Sequence, residues 1–269
     1  MSNRHSPGQA SSIIGTGDPE PVELVNPGGR SRIILVCEHA GREIPAALGD
    51  LGLPPAAMDR HIAYDIGAEG VARELSRLLD APLALQRYSR LVIDCNRPAD
   101  ASDAVPPISD GQIVPGNQRL TQAERNARFT AIHKPFHDIV RSVLDRHHAG
   151  SDSVLVTVHS FTPMLQSRPA PRPWQIGVLS NRDRRLAQRV LPALLAVKPD
   201  LIVAYDEPYE VTDEGDYAIP VHGEARGIEH VMFEIRNDLI AALEAQTEWA
   251  AIIAGALVKA VPPEPEVAR

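Results

Sequence analysis

The chain is short of aromatic residues, at 4%, and it holds only two cysteines, no long apolar run and no surplus of basic charge. Each shortage removes a class of protein. With few rings available, a core must be built from aliphatic side chains, which the 43% hydrophobic content supplies; helices packed on a sheet are the usual solution. Nucleic-acid binding draws on clustered Lys and Arg, and a formal net charge of -8 argues against it. An anionic ligand must therefore meet a local group of cations. Cys37 and Cys95 both fall in apolar runs, which predicts buried thiols and a reducing, cytoplasmic-type compartment. No stretch of about 18 apolar residues occurs, and the opening MSNRHSPGQASSIIGTGDPEP lacks the apolar centre of a signal peptide, so neither membrane insertion nor export is expected.

What is present reads as one folded domain over residues 30–261, flanked by a Gly-, Pro- and Ser-rich tail at 1–29 and a second tail at 262–269. Short β-branched runs at 32–37, 82–86, 90–95, 154–158, 175–179, 201–205 and 231–235 alternate with amphipathic segments. That alternation predicts a single α/β domain with a mixed, largely parallel central sheet. Helices are expected at 68–79, from Thr121 to about 148 with a disturbance at Pro135, from about 183, and at 238–259. Thr121 and Glu124 have the spacing of a capping box. Residues 98–118 and 206–228 lack periodicity and are long for plain connections, which suggests that they cover or build a site.

In open α/β sheets, ligands bind beyond the carboxyl ends of strands. Polar residues follow apolar runs at Glu38-His39, Asn96-Arg97, His159-Ser160 and Glu234-Ile235-Arg236. His39 and His159, each an ordinary loop residue if taken alone, together with a carboxylate suit a catalytic zinc ion. Asp65, Glu38 and Glu43 are the candidate carboxylate ligands; Asp65 is favoured, although a place just before a helix also suits an N-terminal cap. Glu234, at the end of an apolar strand, fits a general base, with an ion pair to Arg236 as the alternative. Arg90, Asn96 and Arg97 form the best anchor for a substrate carboxylate, and pairing of Arg90 with Asp94 or Asp100 is the competing use. His222, in the 206–228 segment, is expected to reach the substrate when that loop closes. His133 and His137 have the spacing of a helical zinc pair, but the HExxH glutamate is missing and Pro135 lies between them, so packing roles are expected.

The segments CEHAGREIP (37–45), HIAYDIGA (61–68), YSRLVIDCNRP (88–98), HKPFHDIV (133–140), VHSFTP (158–163) and FEIRNDLI (233–240) resemble the N-formylglutamate amidohydrolase family, in its order. That resemblance implies a three-layer α/β/α sandwich similar to zinc-dependent exopeptidases, and hydrolysis of N-formyl-L-glutamate to formate and glutamate. It implies a divalent metal, zinc, on His39, Asp65 and His159, with Glu234 as base and Arg90 beside the acyl oxygen. Asn96 and Arg97 then resemble the carboxylate-binding Asn-Arg pair of zinc carboxypeptidases. Zinc carboxypeptidases take two ligands from H-x-x-E, whereas Glu43 lies four residues after His39, which leaves the carboxylate ligand open among Asp65, Glu38 and Glu43. EHAG stands here where the formylglutamate enzymes carry PHAG or PHSG, which points to a branch with another acyl amino acid. A deacylase or peptidase with larger substrates, and a non-catalytic carboxylate-binding protein, are the competing functions. The expected partner is a small-molecule carboxylate, with no nucleic acid and no membrane, for a monomer or small homo-oligomer.

Overall fold

The computed structural model describes residues 12–148 and 153–261. The strands are β1 (Val22–Val25), β2 (Ile33–Cys37), β3 (Leu83–Gln86), β4 (Ile108–Ser109), β5 (Gln112–Ile113), β6 (Val154–Phe161), β7 (Ile176–Leu179), β8 (Val203–Tyr205) and β9 (Glu229–Arg236). Seven of them form one sheet in the order β1-β3-β2-β6-β9-β7-β8, while β4 and β5 make a separate two-stranded ribbon. β3, β2, β6 and β9 run parallel, β1 is antiparallel to β3, and the β7-β8 pair is antiparallel to β9. The helices are α1 (Ala68–Leu79), α2 (Gln122–Arg128), α3 (Lys134–His148), α4 (Arg185–Val197) and α5 (Leu243–Ala260).

Side chains alternate across a strand, and here the alternation sorts the core into two layers. Leu35, Val156, Val158, Val231 and Phe233 point to the face covered by α1, α4 and α5, where Val71, Leu75, Val190 and Ile253 meet them. Ile34, Val36 and Leu155 point to the other face, against Phe136, Val140 and Leu144 of α3 and the irregular segments around it. The result is the expected three-layer sandwich. His159 and Glu234 are register partners on neighbouring strands, so both side chains emerge on the α3 face. No described helix is long and apolar enough to cross a membrane.

Several elements differ from expectation. Residues 90–95 form a buried turn, not a strand. Leu91 N–H donates to Ser89 Oγ at 3.1 Å, Val92 N–H to Ser89 O at 2.8 Å and Asp94 N–H to Ala104 O at 2.7 Å. Asn117 and Arg128 side chains donate to the carbonyls of Leu91 and Val92. The backbone groups a neighbouring strand would need are thereby taken. β1 lies inside the stretch expected as a tail; its residues pair with β3 at the sheet edge. The rest of that tail up to residue 11, and the tail at 262–269, lie outside the described residues.

The helix expected from Thr121 to residue 148 is divided. Thr121 does form the capping box with Glu124, but Phe129–His133 is a wide turn in which Lys134 N–H reaches back to Phe129 O. Pro135 has no N–H to continue the ordinary ladder, and the wider turn accommodates it. The helix expected from residue 238 begins instead at Leu243, after a tight turn at Asn237–Leu239.

Candidate metal centre and its cavity

β2 ends at Cys37 and delivers Glu38 and His39 at its carboxyl end, where the chain turns sharply. A β-carbon on Gly41 would sit 1.8 Å from Arg87 O, so only glycine allows this turn to pack against the strand beside it. His39 O accepts the N–H of Asp65 at 2.9 Å, which draws the segment before α1 over the strand end. Ser160 N–H then donates to Asp65 Oδ2 at 3.2 Å, and Ser160 Oγ–H to Ile66 O at 2.9 Å. Asp65 is therefore held against β6 rather than capping α1, whose N-cap is Gly67.

These restraints bring together His39, Asp65 and His159, all buried. The two Nδ1 atoms lie 3.1 Å apart, and Asp65 Oδ2 is 3.3 Å from His39 Nδ1 and 2.9 Å from His159 Nδ1. The far nitrogens face carboxylates. His39 Nε2–H donates to Asp94 Oδ1 at 2.7 Å, and His159 Nε2 lies 3.1 Å from Glu38 Oε2, an electrostatic contact rather than an aligned hydrogen bond. Carboxylates behind metal-binding imidazoles fix the tautomer so that the other nitrogen is free to bind. A tetrahedral zinc ion with bonds of about 2.0–2.1 Å separates its ligand atoms by about 3.3 Å. The three donors thus fit a small divalent cation in spacing and in chemistry.

The electrostatics point the same way. Burial works against a charge on His39, as does Arg90, but Asp94 and Asp65 outweigh them and its pKa is raised. His159 is pushed well above the ordinary imidazole value, because Glu38 and Asp65 overcome its burial. Burial also opposes ionisation of Asp65 and Asp94, yet the imidazoles and Arg90 hold both carboxyls low. This is a centre of negative potential that attracts positive charge to one point.

Beside it opens a cavity of about 280 Å³ whose wall includes His39, Arg90, Arg97, His159 and Glu234. Glu234 Oε2 is buried with no hydrogen-bond partner among the described residues. Desolvation raises its pKa to about 7, with Asp65 adding and His159 and Arg90 opposing. The alternative ion pair with Arg236 does not form: Arg236 Nε donates to Asp238 at 2.8 Å.

Arg90 reaches the wall, but it donates to Asp65 Oδ1 at 3.2 Å and, through Nε and Nη2, to Asp94 Oδ2 at 3.0 and 2.7 Å. The competing pairing with Asp94 and a position at the site are therefore both realised. Arg97 donates to Asp103 at 3.0 Å and to Gly215 O, and lies 3.7 Å from Asp216. Asn96 Oδ1 accepts the N–H groups of Tyr217 and Ala218, each at 3.1 Å, and its Nδ2 donates to Asp216 at 2.9 Å. Asn96 and Arg97 thus line the cavity while clamping the 206–228 loop over it.

Other expected residues are not brought in. His222 is buried away from the cavity wall, with its Nε2 2.9 Å from His137 Nδ1; packing against His137 and Tyr217, rather than loop polarity, fixes its place. Glu43 is exposed and does not join the three donors. Glu38 is near but serves as the carboxylate behind His159. The residues missed from the sequence are Asp94 and Asp216. Asp94 was legible only as a partner for Arg90, and Asp216 sits in a stretch with no pattern.

The N-formylglutamate amidohydrolase family profile matches residues 31–241, which contain every residue of this site. Among solved structures, a gene product of Agrobacterium tumefaciens is 39% identical with a TM-score of 0.87, the match covering 93% of this chain and 98% of that one. The N-formylglutamate amidohydrolase from Ralstonia eutropha shares the fold at 18% identity and a TM-score of 0.63, covering 90% of this chain and 97% of its own. No curated protein matches the sequence. With a profile match across most of the chain and a cavity lined by His39, Arg90, Asn96, Arg97, His159 and Glu234 from within it, this protein belongs to the N-formylglutamate amidohydrolase family, hydrolases of C–N bonds.

Proposed function

We propose that this chain is a zinc-dependent amidohydrolase that cleaves the acyl amide of a small N-formyl amino acid, the class that includes N-formyl-L-glutamate. One observation carries the reading: three buried groups, His39 Nδ1, His159 Nδ1 and Asp65 Oδ2, lie together within 3.3 Å of one another, beside a cavity lined by both histidines and by a buried carboxylate, Glu234, whose Oε2 has no partner among the described residues. When bound there, a zinc ion supplies Lewis-acid polarisation of the acyl oxygen and lowers the pKa of water.

Glu234 Oε2 takes a proton from the attacking water and delivers it to the departing nitrogen as the C–N bond breaks, releasing formate and the free amino acid. A pKa near neutrality suits both transfers. Arg90 uses three of the five N–H groups a guanidinium carries, which leaves donors to offset charge developing on the acyl oxygen. Arg97 and the second Nδ2–H of Asn96 anchor the α-carboxylate. Release of amine from N-formyl, N-acetyl and N-carbamoyl amino acids, with zinc supplied and with zinc chelated, tests the assignment. Zinc-dependent release from the N-formyl series is expected; equal rates with and without chelator would overturn it.

A further inference from the structure

The cavity walls differ in character from side to side, and the difference bears on the side chain of the substrate. On one side, Met232 lies two residues before Glu234 on β9, so both point to the same face. Leu179 of β7 is the register partner of Met232. Together with Val211 and Ile219 these residues form a small apolar cluster separate from both main cores, and Leu179, Val211 and Met232 surface in the cavity directly beside the proposed base.

On the other side, the two guanidiniums that line the wall are already paired with carboxylates. Arg90 is shared between Asp65 and Asp94, and Arg97 between Asp103 and Asp216. A second cavity of about 290 Å³ shares Arg90, Arg97 and His61 as a common wall and adds Asp103 and Asp110. His61 is tied to Asp110 at 3.0 Å, and burial lowers its pKa. Neither wall includes a lysine, and Glu210 lines the first. Once Arg97 holds the α-carboxylate, a second carboxylate on the substrate meets the apolar wall on one side and Glu210, Asp216 and Asp103 on the other.

Building on the proposed activity, we infer that the preferred substrate is an N-formyl amino acid with an apolar side chain rather than a dicarboxylate, with Leu179, Val211 and Met232 as its side-chain subsite. A hydrophobic pocket distinguishes groups that differ by single methylenes by about 10–200-fold, and a carboxylate buried without a partner is penalised further.

The test compares kcat/KM of the zinc-loaded protein on N-formyl-leucine, N-formyl-glutamate, N-formyl-lysine and N-isovaleryl-glycine, the last carrying its apolar group on the acyl side. N-formyl-leucine is expected to exceed each of the others by at least about tenfold. Val211→Arg should narrow the gap to N-formyl-glutamate, with circular dichroism confirming the fold, while Val211→Ala should lower kcat/KM for N-formyl-leucine more than for N-formyl-glutamate. Preference for glutamate or lysine overturns this inference and leaves the proposed function standing. A preference for N-isovaleryl-glycine moves the apolar subsite to the acyl group and also overturns it. Failure to hydrolyse any of the four overturns both.

Discussion

The protein buries two groups of histidines on the same side of its sheet, and they have opposite fates. His39 and His159 are surrounded by Asp65, Asp94 and Glu38, and their pKa values are raised. Among the described residues, no carboxylate hydrogen-bonds to His133, His137 or His222, and Asp94 and Asp145 act on His133 and His222 only weakly against burial. His137 Nε2–H donates to Cys95 O at 2.7 Å, His133 Nε2–H to Arg97 O at 3.0 Å, and His222 stacks on His137. Burial pushes all three down, helped for His137 by its imidazole neighbours and for His222 by Arg141 and Arg226. What makes an imidazole a cation ligand is the charge placed behind and beside it. In the second group, His133 and His137 act as polar struts that hold the carbonyls of Arg97 and Cys95, and His222 props His137.

The comparison can be broken most severely at the ligands. His39→Ala or His159→Ala should strip the metal and reduce turnover to that of the chelated protein while the fold survives, as read by metal analysis and circular dichroism. Full metal occupancy in both variants would remove the proposed centre. Next in size, Glu234→Gln should retain the metal and KM but lose about 10²–10⁴-fold in kcat, since the amide cannot accept a proton. Loss of metal from that variant would make Glu234 a ligand instead.

Smaller effects sharpen the contrast. Glu38→Gln keeps the shape behind His159 but removes the charge, and should weaken zinc affinity by about 10–100-fold in a chelator competition. Unchanged affinity would show that Glu38 does nothing for the ligand it faces. For the second group the readout is acid stability. His222 has its pKa depressed to about 3 by burial, so the unfolded chain takes up a proton near its ordinary pKa of about 6.5 while the folded chain does not. Stability contributed by this neutral histidine is present above about pH 6.5 and is lost as pH falls towards about 3, by up to about 1.4 kcal/mol per pH unit. His222→Gln should flatten that decline in urea titrations and leave zinc content unaltered; a fall in zinc content would join the two groups after all.

The division between what could be read and what could not follows the source of each position. His39, His159 and Glu234 are placed by a β-ladder, whose period of two and apolar run are written in consecutive residues, so strand ends and their polar residues were legible. Leu91, Val92 and Ile93 have the composition of such a run, but Ser89, Asn117 and Arg128 divert their backbone, and these bonds span up to 36 residues. Val22–Val25 shows the converse: a short run among Pro and Gly became an edge strand because β3 offered a free side. His222 was misjudged because a polar loop residue does not reveal which wall it faces. Asp94 and Glu38, lying beside recognised residues, were visible in the sequence, but their pairing with imidazoles required the folded geometry.

The sheet order has a consequence for how the chain is made. β9 comes after β6, β7 and β8 in the chain yet lies between β6 and β7. Until it is synthesised, β6 and the β7-β8 pair face each other across a gap, each with an unpaired edge that invites wrong partners. The pairing that closes the gap joins residues about 75 apart along the chain, a slow, non-local event. Because Glu234 arrives on that same strand, a nascent chain can gather His39, Asp65 and His159 before the proposed base is present. Closing the sheet and completing the cavity wall are then one step.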